Sequence, residues 1–227
     1  IGKRVVLWLS TGDALVFEPR MTGLVLCADP PTTEHLRLRL SVRPESVKTT
    51  KTAQPQELLF WDRRGLGRVH LYSPETYADQ LASALGPDAL TISADAYRER
   101  LGKSNRPIKV ALLDQQAVAG IGNLYAAEIL HDAGISQRRT CRRLTRRTWE
   151  ALAEATRRVL AEATRYEGST LSDGTYRNAL NQRGRYQNEH RVYGKAGAPC
   201  PRCHAGVIRR IVQAQRATFY CPRCQRG

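Results

Sequence analysis

Leu113-Asp-Gln-Gln-Ala-Val-Ala-Gly-Ile-Gly-Asn-Leu-Tyr-Ala-Ala-Glu128 joins two apolar segments through a closely spaced pair of glycines. Gly120 and Gly122 suit a tight turn, and Asn123 is placed to N-cap the helix that follows. A turn of this kind exposes backbone N–H groups at the positive end of a helix dipole, where a phosphate can sit. The same residues also suit a plain packing turn between two helices, and the motif taken alone favours that plainer role. On either side, Ile108 to about Gln115 and Asn123 to about Asp132 read as short helices.

Further along lies the longest helix, from Thr145 to about Glu167. Trp149, Leu152, Ala153, Thr156, Val159, Leu160 and Ala163 recur at three- and four-residue steps and make one apolar stripe. Thr145 is placed as its N-cap, with Leu144 able to pack on Trp149 as a hydrophobic staple. Before it, Arg138-Arg-Thr-Cys-Arg-Arg-Leu-Thr-Arg-Arg147 carries six arginines in ten residues, either a solvated face or a phosphate-contacting one.

Upstream of residue 75 the periodicity changes from helical to alternating. Arg4–Leu9 and Ala14–Phe17 flank the turn Ser10-Thr-Gly-Asp13, and His35–Val42 alternates strictly, with Leu36, Leu38 and Leu40 on one face. Leu58–Trp61 and Val69–Tyr72 are two more strands, joined by Asp62-Arg-Arg-Gly-Leu-Gly67. Residues 43–56 lack apolar periodicity and are expected to form a mobile loop. The chain opens mid-strand at Ile1 without an initiator Met, so we expect a fragment or processed chain whose earlier strands precede Ile1.

The 227 residues carry 36 Lys and Arg against 21 Asp and Glu, a formal net charge of +15 and a pI near 10.1. That balance argues against an acidic enzyme with a small neutral substrate and favours a polyanionic partner, most often nucleic acid. No apolar run reaches the roughly 18 residues of a membrane span, and no signal-peptide pattern opens the chain. The expectation is a soluble cytoplasmic protein without a membrane partner.

Four of the six cysteines form Cys200-Pro-Arg-Cys203 and, seventeen residues on, Cys221-Pro-Arg-Cys224. Two such knuckles supply four thiolates to one structural zinc ion from short hairpins. Paired disulfides or a redox dithiol are disfavoured in a basic chain with no secretory signal. Between the knuckles, Val207–Tyr220 holds two β-rich runs around a polar break, a hairpin with Gln215 and Arg216 at its tip. Cys27 reads as a buried small apolar residue and Cys141 as a free thiol.

Taken together these motifs resemble the formamidopyrimidine-DNA glycosylase family (Fpg/Nei), across essentially the whole chain and in family order. Leu113–Glu128 is similar to its helix–two-turns–helix signature. Val192-Tyr-Gly-Lys-Ala-Gly-Ala-Pro-Cys200 leads into its zinc finger, and Gln215-Arg-Ala-Thr-Phe-Tyr-Cys221 leans to the Fpg branch. Gly2-Lys3-Arg4, Met21-Thr-Gly23 and Asp62–Gly67 fit the latter half of its N-terminal β-sandwich. The fold this implies is α+β: a partial antiparallel β-sandwich over 1–74, a helix–two-turns–helix domain over 75–194 with a lesion-capping loop at about 171–189, and a four-cysteine zinc finger over 195–227.

The resemblance implies a base-excision repair enzyme. Such an enzyme removes oxidised purines such as 8-oxoguanine and formamidopyrimidines from double-stranded DNA, and nicks abasic sites by β,δ-elimination. Its partner is duplex DNA with oxidised bases or abasic sites, and it implies a monomer. The family's nucleophile is an N-terminal proline followed by a glutamate; this sequence opens Ile1-Gly2, so the chain as given is expected to be inactive. The alternative is a catalytically inactive module that binds damaged DNA. By position, Lys3 matches the β-hairpin lysine that assists the chemistry beside the lesion, though spacing alone makes it a solvated strand-edge lysine. Asn123 and Arg216 match the pair pinching the phosphate beside the flipped nucleotide. Lys109 matches a further phosphate contact, with a solvated lysine in the first helical turn as the plainer reading. Met21 matches the side chain pushed into the gap left by the base, though by itself the chain's only Met is more often a core residue; Arg64 matches the arginine meeting the orphaned base, and Leu66 the wedge beside it. Two departures stand out: Gly65-Leu66 replaces the usual Arg-Phe, and Glu18 replaces a phosphate-binding His, where a carboxylate is expected to repel DNA.

Overall fold

The structure, a computed structural model, describes residues 1–42 and 56–226. The loop expected over 43–56 lies outside the described residues, apart from Gln56. Residues group into two compact units, one of Lys3–Leu81 with Tyr166–Gln187, the other of Ala82–Arg165 with Asn188–Gly227.

The first unit holds two three-stranded antiparallel sheets. Strands β1 (Val5–Trp8), β2 (Ala14–Glu18) and β6 (Arg68–Tyr72) pair in the order β1-β2-β6, and β3 (Gly23–Leu26), β5 (Gln56–Asp62) and β4 (Leu36–Val42) in the order β3-β5-β4. Phe17 of the first sheet and Leu58 and Phe60 of the second share one buried cluster, with Leu7, Leu15, Leu38, Leu40 and Val69 packed around it. Leu59 and Trp61 point to the opposite face of β5 and bury against Leu24 and Leu26. Burial on both faces is why Leu58–Trp61 is continuously apolar while β4, half exposed, alternates. β3 is not singled out by the sequence: its Leu24-Val-Leu26 run is apolar throughout and shows no alternation.

Segment 166–187 sits with this unit and not with the helices flanking it in sequence. The Cys27 N–H donates to the Ala179 carbonyl at 2.7 Å, and Asn181 donates to that of Asp29 at 2.9 Å. Cys27 is exposed, contrary to the expectation of a buried residue, because it lies just beyond the end of β3. It is Cys141 that is buried.

After α1 (Pro74–Ala84), the second unit packs α2 (Ala94–Leu101), the short α3 (Ile108–Ala111), α4 (Asn123–Asp132) and α5 (Arg146–Arg165), followed by the hairpin β7 (Arg209–Gln213) and β8 (Arg216–Tyr220). The α5 stripe buries as expected at Trp149, Leu152, Ala153, Thr156, Val159 and Ala163, with Leu160 only half-buried. Tyr97 of α2 stacks on Trp149 and its hydroxyl meets the Thr156 hydroxyl at 3.1 Å. The Thr148 N–H donates to the Thr145 hydroxyl at 3.3 Å, the expected cap. Among the described residues no helix is long and apolar enough to cross a membrane.

Candidate nucleic-acid interface and metal centre

The two-glycine turn is set by a glutamine. Gln115 accepts from the Gly120 N–H at 2.9 Å and donates to the carbonyls of Leu113 and Ile121, both at 3.0 Å. Gly120 has a φ of 109°, which an L side chain rarely adopts, so glycine is required there. The N-cap is Gly122, not Asn123, and it supplies no side-chain cap to the leading N–H groups of α4. Asn123 is therefore the first helical residue, and its side chain is released from capping for contacts outside the helix.

Those contacts bring three of the sequence-selected residues together. Asn123 Nδ2 donates to the Ala217 carbonyl of β8 at 3.0 Å, while Asn123 Oδ1 accepts from Lys109 Nζ at 2.6 Å. Lys109 is fully buried, which overturns its reading as a solvated lysine. Burial first, and then the nearby Arg216 guanidinium, lower its pKa to about 8. Arg216 opens β8 and is exposed. The hairpin tip itself is Ala214-Gln215, both with positive φ, so Arg216 stands one step inside it. Two cationic groups, an amide and an uncapped helix N-terminus thus converge, an arrangement that attracts a phosphate.

The metal centre lies in the same unit. Cys200, Cys203, Cys221 and Cys224 place their sulfurs within 4.8 Å of one another. Cys200 and Cys224, and likewise Cys203 and Cys221, are 3.8 Å apart, far beyond a disulfide bond of about 2 Å. Four thiolates at a Zn–S distance of about 2.3 Å stand about 3.8 Å apart on a tetrahedron, so the donor set fits one zinc ion. A Cβ on Gly206 would come within 2.6 Å of Cys221 Sγ, so the loop reaches the metal site only as glycine. Backbone N–H groups, that of Ala205 foremost, hold the Cys203 thiol down to about 6.

Two further residues of this unit escaped the sequence reading. Glu128, fully buried on α4, accepts from the backbone N–H groups of Arg191, Val192 and Tyr193 at 2.7–3.0 Å. It anchors the segment entering the zinc finger. His131, one turn on, meets Cys200. The only signal for either was a polar residue on a helix face that also carries Ala127, which packs on Cys200 and Phe219.

In the first unit, Met21 and Arg64 lie side by side, Arg64 Nη1 to Met21 Sδ at 3.6 Å, and Met21 and Leu66 are 72% and 48% exposed. Beneath them is Asp62, 1% exposed, which accepts from the Thr22 hydroxyl at 2.6 Å and the N–H groups of Gly67 at 2.7 Å and Arg64 at 3.2 Å. Burial alone would raise the Asp62 carboxyl, but these hydrogen bonds outweigh it and hold the group below the usual range. Asp62 thus builds the loop that displays Arg64 and Leu66, a role its place in the motif did not disclose. Lys3 is exposed and lies in a turn with Gly2, both at positive φ, closed by the Arg4 N–H donating to the Ile1 carbonyl at 2.9 Å.

Glu18 does not stand as a bare negative charge. Arg4 Nε and Arg20 Nη2 flank its carboxylate at 2.7 and 2.9 Å. Burial opposes ionisation, yet these two arginines overcome it and lower the pKa, so the three groups together carry one net positive charge.

Residues 84–175 match the formamidopyrimidine-DNA glycosylase H2TH domain, and 197–227 match the zinc finger found in FPG and IleRS. The formamidopyrimidine-DNA glycosylase of Chloroflexus aggregans is 40% identical over 230 residues, 99% of this chain and 79% of that protein. Among solved structures, the MutM (Fpg) protein of Thermus thermophilus is 37% identical with a TM-score of 0.82, covering 99% of this chain and 80% of that one. A Lactococcus lactis Fpg variant bound to DNA containing Fapy-dG superposes with a TM-score of 0.83 at 31% identity, over 100% of this chain and 80% of that one.

Proposed function

The chain belongs to the formamidopyrimidine-DNA glycosylase family, and we propose that it grips duplex DNA bearing oxidised purines or abasic sites and serves a glycosylase/AP-lyase reaction. A neutral amine attacks the sugar C1′ and the damaged base leaves with a proton; the C1′–O4′ bond then breaks, O4′ takes a proton, and an iminium Schiff base remains. Loss of a C2′ proton then expels the 3′ phosphate, and δ-elimination expels the 5′ phosphate. The amine in this reading is the family's N-terminal proline, with the following glutamate as acid and base.

The residues of this chain supply the grip around that chemistry. Asn123, the leading N–H groups of α4 and Arg216 take the phosphate beside the extruded nucleotide. Lys109, spent on Asn123 in this structure, holds that amide in place and adds its charge. Met21 fills the gap left by the base, Arg64 meets the orphaned partner and Leu66 wedges beside it, offsetting the few kcal/mol of unstacking. Lys3 takes a phosphate next to the lesion and assists the elimination. The zinc ion is structural: held by Cys200, Cys203, Cys221 and Cys224, it braces the hairpin that carries Arg216.

The observation that carries this reading is the buried Lys109 donating to Asn123 beside the exposed Arg216. Burying a lysine is costly, and a fixed anion is what its charge would answer to. Lactococcus lactis Fpg complexes with Fapy-dG and abasic-site DNA, at 30–31% identity, lend the substrate class. The test is borohydride trapping of the native protein on an abasic-site duplex, beside an anisotropy titration in rising salt. A covalent adduct, with log K falling at roughly −0.9 per phosphate contacted, is the expected result. Tight, salt-sensitive binding with no adduct would leave damage recognition without cleavage, and salt-independent binding would overturn the phosphate grip.

A further inference from the structure

We infer that His131 is a positioning residue of the metal centre, its Nε2–H donating a hydrogen bond to the Cys200 thiolate. The inference rests on the four-cysteine metal site and is independent of the glycosylase reading. His131 lies at the last turn of α4, 1% exposed, and its Nε2 is 3.3 Å from Cys200 Sγ, itself fully buried. Its other ring nitrogen, Nδ1, is buried with no hydrogen-bond partner among the described residues.

Those two facts fix the tautomer. A proton on Nδ1 would bury an unpaired N–H and turn the bare Nε2 lone pair onto an anionic sulfur, two unfavourable terms at once. A proton on Nε2 meets the thiolate and leaves one unpaired lone pair on Nδ1, a single unfavourable contribution in place of two. Four thiolates on one divalent ion carry a net charge of −2, and an N–H···S bond spreads part of it off the sulfur. Cys200 should thereby become a poorer nucleophile, and the ion should be released less readily to oxidants and electrophiles.

The bond also has a mechanical consequence. The His131 carbonyl accepts from Arg202 Nη1 at 2.9 Å, so ring and backbone both tie the end of α4 to the first knuckle. At the other end of the helix, Asn123 is tied to β8 through the Ala217 carbonyl. Helix α4 is thus fastened to the zinc finger at both ends, and the metal site helps hold the helix that carries Asn123.

The test uses H131F, which keeps an aromatic ring but no donor, and H131Q, whose amide restores an N–H at similar reach. In the cobalt-substituted proteins, the sulfur-to-cobalt charge-transfer bands should move to lower energy in H131F and stay near the wild-type position in H131Q. Zinc affinity should fall by about 10–100-fold in H131F alone, and zinc release by hydrogen peroxide should quicken several-fold in the same variant. Wild-type bands and release in H131F, or equal shifts in both variants, would overturn the proposal. Long-range ¹H–¹⁵N spectra of the zinc-loaded wild type give an answer whatever the variants do: the Nε2–H tautomer is expected, and the Nδ1–H tautomer would sink the idea.

Discussion

The two groups of proposed DNA-contacting residues are built on opposite principles. In the helical unit, Lys109 and Asn123 are locked by hydrogen bonds of 2.6 and 3.0 Å, and the supporting hairpin is braced by four cysteines. In the β unit, Met21 and Leu66 stand in solvent on two different loops, and the buried Asp62 ties the loops together at their bases by accepting from Thr22 beside Met21 and from Gly67 beside Leu66. The difference follows from what each would meet. A phosphate is a fixed charge, and groups aimed at it gain from being positioned before it arrives. A gap left by an extruded base is filled by shape, which exposed, rotatable apolar side chains can do.

If that contrast holds, the most severe perturbation is removal of the metal. Chelation should unfold β7–β8 and abolish specific DNA binding, because structural zinc contributes about 10–16 kcal/mol in small finger domains near pH 7. Amide spectra should show residues 14–26 of the β unit unmoved; collapse of both units together would break the comparison. Next comes Asn123→Ala, which strands the Lys109 ammonium in the interior. Affinity should drop by about one to two orders of magnitude and stability by roughly 1–3 kcal/mol. Adding Lys109→Met should recover the stability but not the affinity, as read by chemical denaturation beside anisotropy.

Asp62→Asn probes the other region, and should cost roughly 1–3 kcal/mol through the loop it supports. The folded Asp62 pKa lies below its ordinary 3.8. Its contribution is therefore complete above about pH 4 and lost as the pH falls through the folded value. Denaturation midpoints measured from pH 6 downward should decline more steeply for the wild type than for the variant. A milder effect concerns Lys109, whose pKa is about 8. As pH rises through 8 the cluster loses one positive charge, so DNA affinity should weaken and binding near pH 8–9 should take up protons, measurable by calorimetry in buffers of different ionisation enthalpy. The smallest change in stability belongs to Met21→Ala, within about 0.5 kcal/mol for so exposed a side chain. Its preference for damaged over intact duplex should nonetheless fall in competition binding; an unchanged preference would remove Met21 from the gap-filling role.

Local pattern carried much of this protein. The alternation of Leu36, Leu38 and Leu40 reveals β4, the three- and four-residue steps reveal α5, and the bounds Asn123–Asp132 of α4 are readable from a turn and an apolar run. The four cysteines needed only their spacing. Less legible was what long-range packing decides. Asn123 looks like a cap until Gly122 is seen to hold that place and the side chain to reach a residue 94 positions away. Glu18 looks repulsive in sequence because nothing there places Arg4 and Arg20 on either side of it.

The α+β order of elements, the metal ligands, the basic character and the family resemblance were all legible in the residues alone, because periodicity, ligand spacing and charge are local or additive properties. Tertiary structure alone decided that Lys109 is buried, that Asp62 and Glu128 organise backbone loops, and that His131 meets Cys200. Each of these depends on which distant groups burial brings within hydrogen-bonding reach, and burial is a property of the packed chain, not of any one segment.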